Sequence, residues 1–267
     1  MAVVLHLVDR QGDDDQGLNW SAASADYLRH RNGYPNCYFR LLRELGVGVA
    51  GSRILDLGVG TGALALPFAR QGARVIGIDQ ALGQILACRV RARELGLGLD
   101  LRVGQAESTG VLTASIDVVT ASMCWGYFDK SAVVAEVRRV LVPGGRLLIS
   151  SINWPAIPGT LTERTKALMA RFAPAMRRKT DDDSAPVLLP PELQGDFRLQ
   201  TWHQYATTLR FSKEAWRGRV RACKWMAPTL SPEEVQAFDT AHAQLLTDEP
   251  EPLQIDHLVQ FSIFTRR

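Results

Sequence analysis

Short, largely apolar runs alternate with longer amphipathic segments through the middle of the chain. The apolar runs cover residues 53–57, 74–78, 99–103, 116–121 and 146–151. Helical periodicity marks the segments that follow the first, second and fourth runs. Apolar runs with little polar alternation are typical of strands that are covered on both faces. The pattern therefore predicts an α/β fold in which right-handed helical crossovers join parallel strands.

The pattern changes on both sides of this alternation. Two helices are predicted before it, over 20–31 and 35–46. The predicted elements after it are helices over 159–175, 213–223 and 232–246 and strands over 197–209 and 258–264. We therefore expect a doubly wound, seven-stranded, mostly parallel sheet with an antiparallel edge strand and a small helical cap. The expected parts are N-terminal helices over 1–50, a ligand-binding core over 51–153 and a C-terminal part over 154–267.

Composition narrows the class of protein. The chain has 267 residues, of which 46% are hydrophobic and 22% charged, with a net charge of +3, so it is not typical of a nucleic-acid binder. The cysteines at 37, 88, 124 and 223 have no metal-ligand spacing and predict free thiols in a reducing compartment. No apolar run has membrane-spanning length, and residues 2–8 do not resemble a secretion signal. We predict a soluble, cytoplasmic monomer or homodimer that acts on a small molecule, without metal, membrane or nucleic acid.

A glycine-rich turn follows the first predicted strand. Gly58, Gly60 and Gly62 allow a close approach of the backbone to a ligand, and the next helix directs free N–H groups toward it. Asp79 ends the second predicted strand, where nucleoside-binding folds place a carboxylate for the ribose hydroxyls. Asp56 precedes the turn, where a carboxylate suits an ammonium group and repels a pyrophosphate. These features favour a nucleoside with a cationic tail over a dinucleotide.

These residues resemble the motifs of class I S-adenosylmethionine-dependent methyltransferases. The matching segments are 56–62, 77–79, 104–107, 117–122 and 139–145. The resemblance implies the class I methyltransferase fold, S-adenosyl-L-methionine as cofactor and methyl transfer as activity.

Two outer segments resemble a narrower group. Residues 27–35 and 214–219 are similar to those of a bacterial subgroup that includes trans-aconitate methyltransferases. The resemblance then extends from about residue 27 to the end of the chain.

The resemblance also implies a cofactor site. It places Gly58 and Gly60 along the amino-acid part of the cofactor, Asp56 near its ammonium group, and Asp79 at the ribose hydroxyls. The other implied contacts are Gln80, Gln105, Ala106 and Glu107 around the adenine, Ser122 and Met123 at the end of the fourth strand, and Arg31 and Tyr34 at the carboxylate.

The segment after the fourth strand is where such folds bind acceptors. Relatives often carry a histidine at the position of Gly126, and its absence argues against ordinary base-assisted methylation. Aromatic faces can hold the sulfonium cation, so Trp125 and Tyr127 are candidate catalytic residues together with Asn153, which both donates and accepts hydrogen bonds. The candidate acceptor contacts are Phe128, Trp154, Trp216 and Arg219.

Three functions are compatible with these residues. The first is a methyltransferase that acts on a small metabolite by direct displacement at the sulfonium methyl. The second is a cyclase of the azetidine-2-carboxylate synthase type, in which the cofactor's own amine attacks its γ-carbon and releases methylthioadenosine. The third is a non-catalytic S-adenosylmethionine-binding protein on the same scaffold.

Overall fold

The computed structural model describes residues 18–30, 33–174, 176 and 190–267. Within them seven strands form one sheet in the order β3-β2-β1-β4-β5-β7-β6. The strands are β1 (Arg53–Leu57), β2 (Arg74–Asp79), β3 (Asp100–Val103), β4 (Ile116–Ser122), β5 (Leu141–Asn153), β6 (Phe197–Phe211) and β7 (Leu253–Arg266). Strands β1 to β5 pair in parallel, and β7 runs antiparallel to both β5 and β6. The predicted doubly wound, mostly parallel sheet is confirmed.

Eight α-helices accompany the sheet in the described part of the chain. They are α1 (Ser24–His30), α2 (Asn36–Glu44), α3 (Ala65–Arg70), α4 (Leu82–Glu94), α5 (Lys130–Val140), α6 (Leu161–Phe172), α7 (Lys213–Arg221) and α8 (Pro232–Leu245). Three begin at side chains that accept a hydrogen bond from the first turn: Asp129 for α5, Ser212 for α7 and Ser231 for α8. None of the described helices is long and apolar enough to cross a membrane.

Two strands, β5 and β7, begin well before the apolar runs that predicted them. Strand β7 begins at Leu253, and burial alternates residue by residue as far as His257 before both faces become covered. The continuous apolar run marks only the second half of that strand. Strand β5 begins at Leu141, and the pairing with β4 changes register between Leu141 and Arg146, so a bulge interrupts the strand before its apolar run.

The sheet is covered on both faces. On one face α2 and α3 contribute Tyr38, Phe39 and Phe68 to a core that includes Ile54 of β1. The other face packs against α5. A third cluster lies in the cap, where α6, α7 and α8 surround aromatic side chains and the first half of β7. The cap therefore has its own hydrophobic core.

Helix α1 lies between the sheet domain and the cap. A Cβ on Gly83 of α4 would lie 2.9 Å from Ser24 Oγ, and a Cβ on Gly218 of α7 would overlap the His30 ring. The close approach of α1 to both helices thus depends on these two glycines. Arg221 of α7 donates two hydrogen bonds of 2.8 Å to Asp26, which fixes α1 to the cap.

Candidate active site

A cavity of about 420 Å³ lies at the carboxyl ends of β1, β2 and β4. Ligands of open α/β sheets bind at this position, because the chain order reverses between β1 and β4 and leaves a crevice there. The volume falls within the range of about 300–1,000 Å³ for small-molecule sites. The cavity is therefore the main candidate site in the described part of the protein.

The glycine-rich turn forms one wall of the cavity. Gly58 and Gly60 have φ angles of +60° and +54°, in the left-handed region that favours glycine. A Cβ on Gly58 would lie 2.9 Å from the Cys124 side chain, too close for any larger residue. The backbone of the turn is consequently exposed to the cavity without side chains in between.

Asp79 is held in place by the backbone. Its Oδ2 accepts a hydrogen bond from the Gly60 N–H, and its Oδ1 accepts one from the Ala81 N–H, both at 2.9 Å. A carboxylate offers about four acceptor positions, so both oxygens can accept again from a ligand. The geometry suits a pair of neighbouring hydroxyl groups.

Asp56 lies deeper in the cavity wall. Its side chain is almost fully buried, and Oδ1 accepts a hydrogen bond of 2.6 Å from Thr120 Oγ1. Burial raises the pKa of Asp56 to about 7, an effect that the Thr120 hydrogen bond opposes and the nearby Asp79 charge reinforces. A positive group beside Asp56 would favour its ionised form.

Tyr34 also lines the cavity. Its hydroxyl is 2.8 Å from Ser122 Oγ, and its ring stacks on Tyr38 with centroids 4.1 Å apart. Met123 follows Ser122 with a φ of +62°, an unusual value for a residue with a side chain. Strained backbone of this kind is concentrated at functional sites.

The predicted cofactor contacts meet in this cavity. It is lined by Tyr34, Asp56, Gly58, Gly60, Asp79, Gln80, Gln105, Ala106, Glu107, Ser122 and Met123. The remaining predicted contact, Arg31, lies outside the described residues. Glu107 Oε1 also accepts a hydrogen bond of 2.9 Å from the Asp129 N–H, which joins the predicted adenine region to the start of α5.

The predicted acceptor region is aromatic. Tyr127 and Phe128 line the cavity, and Trp20 meets the Tyr127 ring edge-on with centroids 5.7 Å apart. Lys224 Nζ lies 4.6 Å from the centroid of the Tyr127 ring, which brings a positive charge to this aromatic group.

Five other predicted residues do not line the cavity. Trp125 is buried, and its Nε1 donates a hydrogen bond of 3.2 Å to Glu192. Trp154 and Trp216 pack against each other in the cap with centroids 5.0 Å apart. Arg219 is buried on α7 and donates to Cys223 Sγ, and Asn153 pairs with Leu258 of β7. The three tryptophans belong to hydrophobic cores, and catalytic or acceptor-binding roles for the five residues stay predictions.

Similarity to known proteins decides the family. A family profile described as a methyltransferase domain matches residues 55–149. The ubiquinone biosynthesis O-methyltransferase of Xylella fastidiosa is 30% identical over 201 residues, which are 72% of this chain and 79% of that protein. The chain belongs to the class I S-adenosylmethionine-dependent methyltransferases.

Further relatives agree with this assignment. The demethylmenaquinone methyltransferase of Corynebacterium kroppenstedtii is 29% identical over 168 residues, 62% of this chain and 71% of that protein. A methyltransferase from Thiobacillus denitrificans, solved with S-adenosyl-L-homocysteine, shares the fold with a TM-score of 0.53 and 18% identity over 93% of this chain and 98% of that one. The predicted family, fold and cofactor are confirmed, and the trans-aconitate-type subgroup stays a prediction.

The cavity of this methyltransferase suits a cationic cofactor. Among the described residues that line it there are four carboxylates and no lysine, arginine or histidine. The carboxylates are those of Asp56, Asp79, Glu107 and Asp129. A ligand with a sulfonium and an ammonium group would compensate their negative charge.

Gln84 is a lining residue of the methyltransferase that the sequence analysis missed. It is 3% exposed, its Nε2 donates to the Trp20 carbonyl at 3.2 Å, and its buried Oε1 has no hydrogen-bond partner among the described residues. An unpaired buried carbonyl is unfavourable unless a ligand or water donates to it. The only sequence signal for Gln84 is that a polar residue stands beside the buried Ile85 in α4. Trp20 was missed because its position depends on how the N-terminal segment packs.

Proposed function

We propose that the protein transfers the methyl group of S-adenosyl-L-methionine to a small-molecule acceptor bound beside Tyr127 and Phe128. The observation that carries the proposal is the carboxylate-lined cavity, which is aromatic on the side of these two residues. When bound, the cofactor supplies an electrophilic methyl group on a positively charged sulfur. The chain's own residues have to hold the reactants in line and exclude water.

The contacts in the cavity support a role for each cofactor residue. Asp79 would accept from the ribose hydroxyls, since two backbone N–H groups already fix its carboxylate. Asp56 would face the ammonium group and, once ionised, attract it. Gln84 would accept from a donor on the cofactor with its unpaired Oε1. Tyr34 and Ser122, whose hydroxyl groups are hydrogen-bonded to each other, would complete the cavity wall.

The acceptor side offers aromatic surface and little acid–base chemistry. Trp20, Tyr127 and Phe128 line this side of the cavity, and the faces of aromatic rings attract a cation. The Cys124 thiol donates to the Leu57 carbonyl, and burial raises its pKa, so it stays neutral. We therefore infer an acceptor atom that is already nucleophilic at neutral pH.

Lys224 narrows the choice of acceptor. Its positive charge next to the Tyr127 ring would favour the ionised form of an acidic hydroxyl group bound beside that ring. Since the Xylella relative is named as an O-methyltransferase, acidic hydroxyl compounds are the first to test. Oligomeric state and cytoplasmic location stay predictions.

Product analysis tests the proposal. The purified protein is incubated with S-adenosyl-L-methionine alone and then with panels of hydroxyl, thiol and amine acceptors, and the products are identified by mass spectrometry. S-adenosylhomocysteine that appears only with an acceptor, together with the methylated acceptor, would support it. Methylthioadenosine and a cyclic amino acid from the cofactor alone would replace it with the cyclase, and binding without turnover would favour a non-catalytic protein.

A further inference from the structure

A second concavity, of about 480 Å³, lies between α2, α3 and the end of α4. Part of its lining is apolar and includes Phe39, Leu66 and Leu95. We call this concavity the arginine groove, because four arginines line it: Arg40, Arg43, Arg70 and Arg91. They come from three different helices, so no basic cluster is visible along the sequence.

The charged residues that line the arginine groove are all positive. No aspartate or glutamate is among the described residues that line it. Within the described part of the chain none of its four arginines forms an ion pair, whereas Arg53, Arg139 and Arg221 elsewhere each contact a carboxylate. The nearby carboxylates of Glu44 and Glu94 lie on the same helices but outside the lining. Four like charges around one concavity create a positive potential that concentrates anions.

Helix dipoles explain only part of this arrangement. Arg43, Arg70 and Arg91 lie in the last turns of α2, α3 and α4, where a positive charge is favourable. Each arginine interacts favourably with the dipole of its own helix, and this interaction does not require the side chains to line a common groove. Arg40 lies in the middle of α2, outside the reach of the dipole effect.

The groove also contains an unpaired acceptor. Gln71, which follows α3, lines it, and its buried Oε1 has no hydrogen-bond partner among the described residues. A ligand hydroxyl or amine could donate to this oxygen, while guanidinium groups present the paired donors that match phosphate oxygens. Apolar lining, an acceptor and several guanidinium groups are the complement of a phosphorylated organic molecule.

We propose that the arginine groove is a second ligand site, which binds a phosphorylated small molecule. This site is separate from the cofactor cavity, although Gly33, Tyr34 and Ala63 contribute to the walls of both. The four carboxylates of the cofactor cavity repel phosphate, so the two sites select ligands of opposite charge. Ligand binding in the arginine groove does not depend on methyl transfer in the cofactor cavity.

Calorimetry with the full-length protein tests the second site. Pyrophosphate is titrated at an ionic strength of about 0.05 M, where screening is weak, in the presence of saturating S-adenosylhomocysteine. Saturable binding of one pyrophosphate per chain is expected. The double variant Arg43→Gln/Arg91→Gln should weaken it about tenfold or more, because charge-assisted hydrogen bonds are lost.

The matched control removes two exposed arginines of β6 that do not line the groove. Arg198→Gln/Arg210→Gln lowers the net charge equally and should change pyrophosphate affinity less than about twofold, since neither guanidinium can form a hydrogen bond to a ligand in the groove. Circular dichroism confirms that both double variants fold.

Three results would overturn the proposal. The first is no saturation at millimolar pyrophosphate, and the second is an equal loss of affinity in the two double variants. The third is co-sedimentation with vesicles of anionic phospholipid without pyrophosphate binding, which would make this face a membrane contact.

Discussion

Asp79 and Asp56 line one cavity, yet their surroundings differ. Asp79 accepts from two backbone N–H groups, so its orientation is fixed before a ligand arrives. Asp56 is almost fully buried, and this burial raises its pKa to about 7. The Asp79 carboxylate is therefore already oriented to accept hydrogen bonds from hydroxyl groups, whereas the ionisation of Asp56 depends on the charge of the group beside it.

Replacing Asp79 by alanine should weaken the binding of S-adenosylhomocysteine about tenfold or more, because charge-assisted hydrogen bonds to a ligand contribute about 1.5–3 kcal/mol each. Calorimetry measures the change. Asp100→Ala is the matched control, since Asp100 is an exposed carboxylate on the neighbouring strand β3 that pairs with Arg102. Unchanged affinity in Asp79→Ala would show that the ribose binds elsewhere.

The raised pKa of Asp56 makes the stability of the ligand-free protein depend on pH. The contribution of this group is fully present below its unfolded value of about 3.8 and is lost as the pH rises through about 7. Asp56→Asn stays neutral, so its thermal midpoint should exceed that of the wild type at pH 8, and the difference should shrink toward pH 4. Thermal melts across this range measure it. A difference that is independent of pH would contradict the assigned pKa.

Local chemistry made part of the site predictable from the sequence. Gly58, Gly60 and Asp79 were predicted because their features are local in the sequence. Glycine is favoured where the backbone is left-handed, and Asp79 directly ends an apolar strand. Gln84 and Trp20 were not predicted, because they reach the cavity only through the packing of α4 and of the segment before α1. Trp216 was expected at the acceptor, but an aromatic residue in a cap helix looks the same in sequence whether it faces a ligand or a core.

At the scale of elements, ion pairs connect α1 to the cap. Arg221 of α7 donates to Asp26 of α1 and to Asp239 of α8, and Arg217 also contacts Asp239. This network joins three helices beside the cavity that Trp20 helps to line.

Strand prediction was most accurate where both faces are buried, as in β1, and least accurate for the half-exposed start of β7.

Arg221→Met should destabilise the protein by about 1–3 kcal/mol, because it leaves the half-buried carboxylate of Asp26 without its bidentate partner. It should also weaken cofactor binding, since α1 loses its fixed position beside the cavity. Urea unfolding and calorimetry measure the two effects. The control Arg102→Met breaks the exposed pair with Asp100 and should cost less than about 1 kcal/mol without affecting the cofactor. Equal effects of both variants would contradict the role of the network.

At the scale of the whole molecule, negative and positive side chains line different cavities, although the net charge is only +3. Carboxylates line the cavity at the ends of β1, β2 and β4, and arginines line the groove between α2, α3 and α4. The two sites share a wall at Tyr34. The doubly wound, mostly parallel sheet could be predicted from the alternation of elements, whereas this separation arises only when distant helices are brought together.

The contact between Gly58 and Cys124 gives the protein its own occupancy reporter. Cys124 lines the cofactor cavity beside the glycine turn, whereas Cys37 is exposed. Because burial raises the pKa of the Cys124 thiol, its alkylation by iodoacetamide is slow and has to be followed over hours at alkaline pH, where S-adenosylhomocysteine should slow it further and leave that of Cys37 unchanged, as peptide mass spectrometry would show. Equal protection of both thiols, or of neither, would mean that the nucleoside does not lie along that turn.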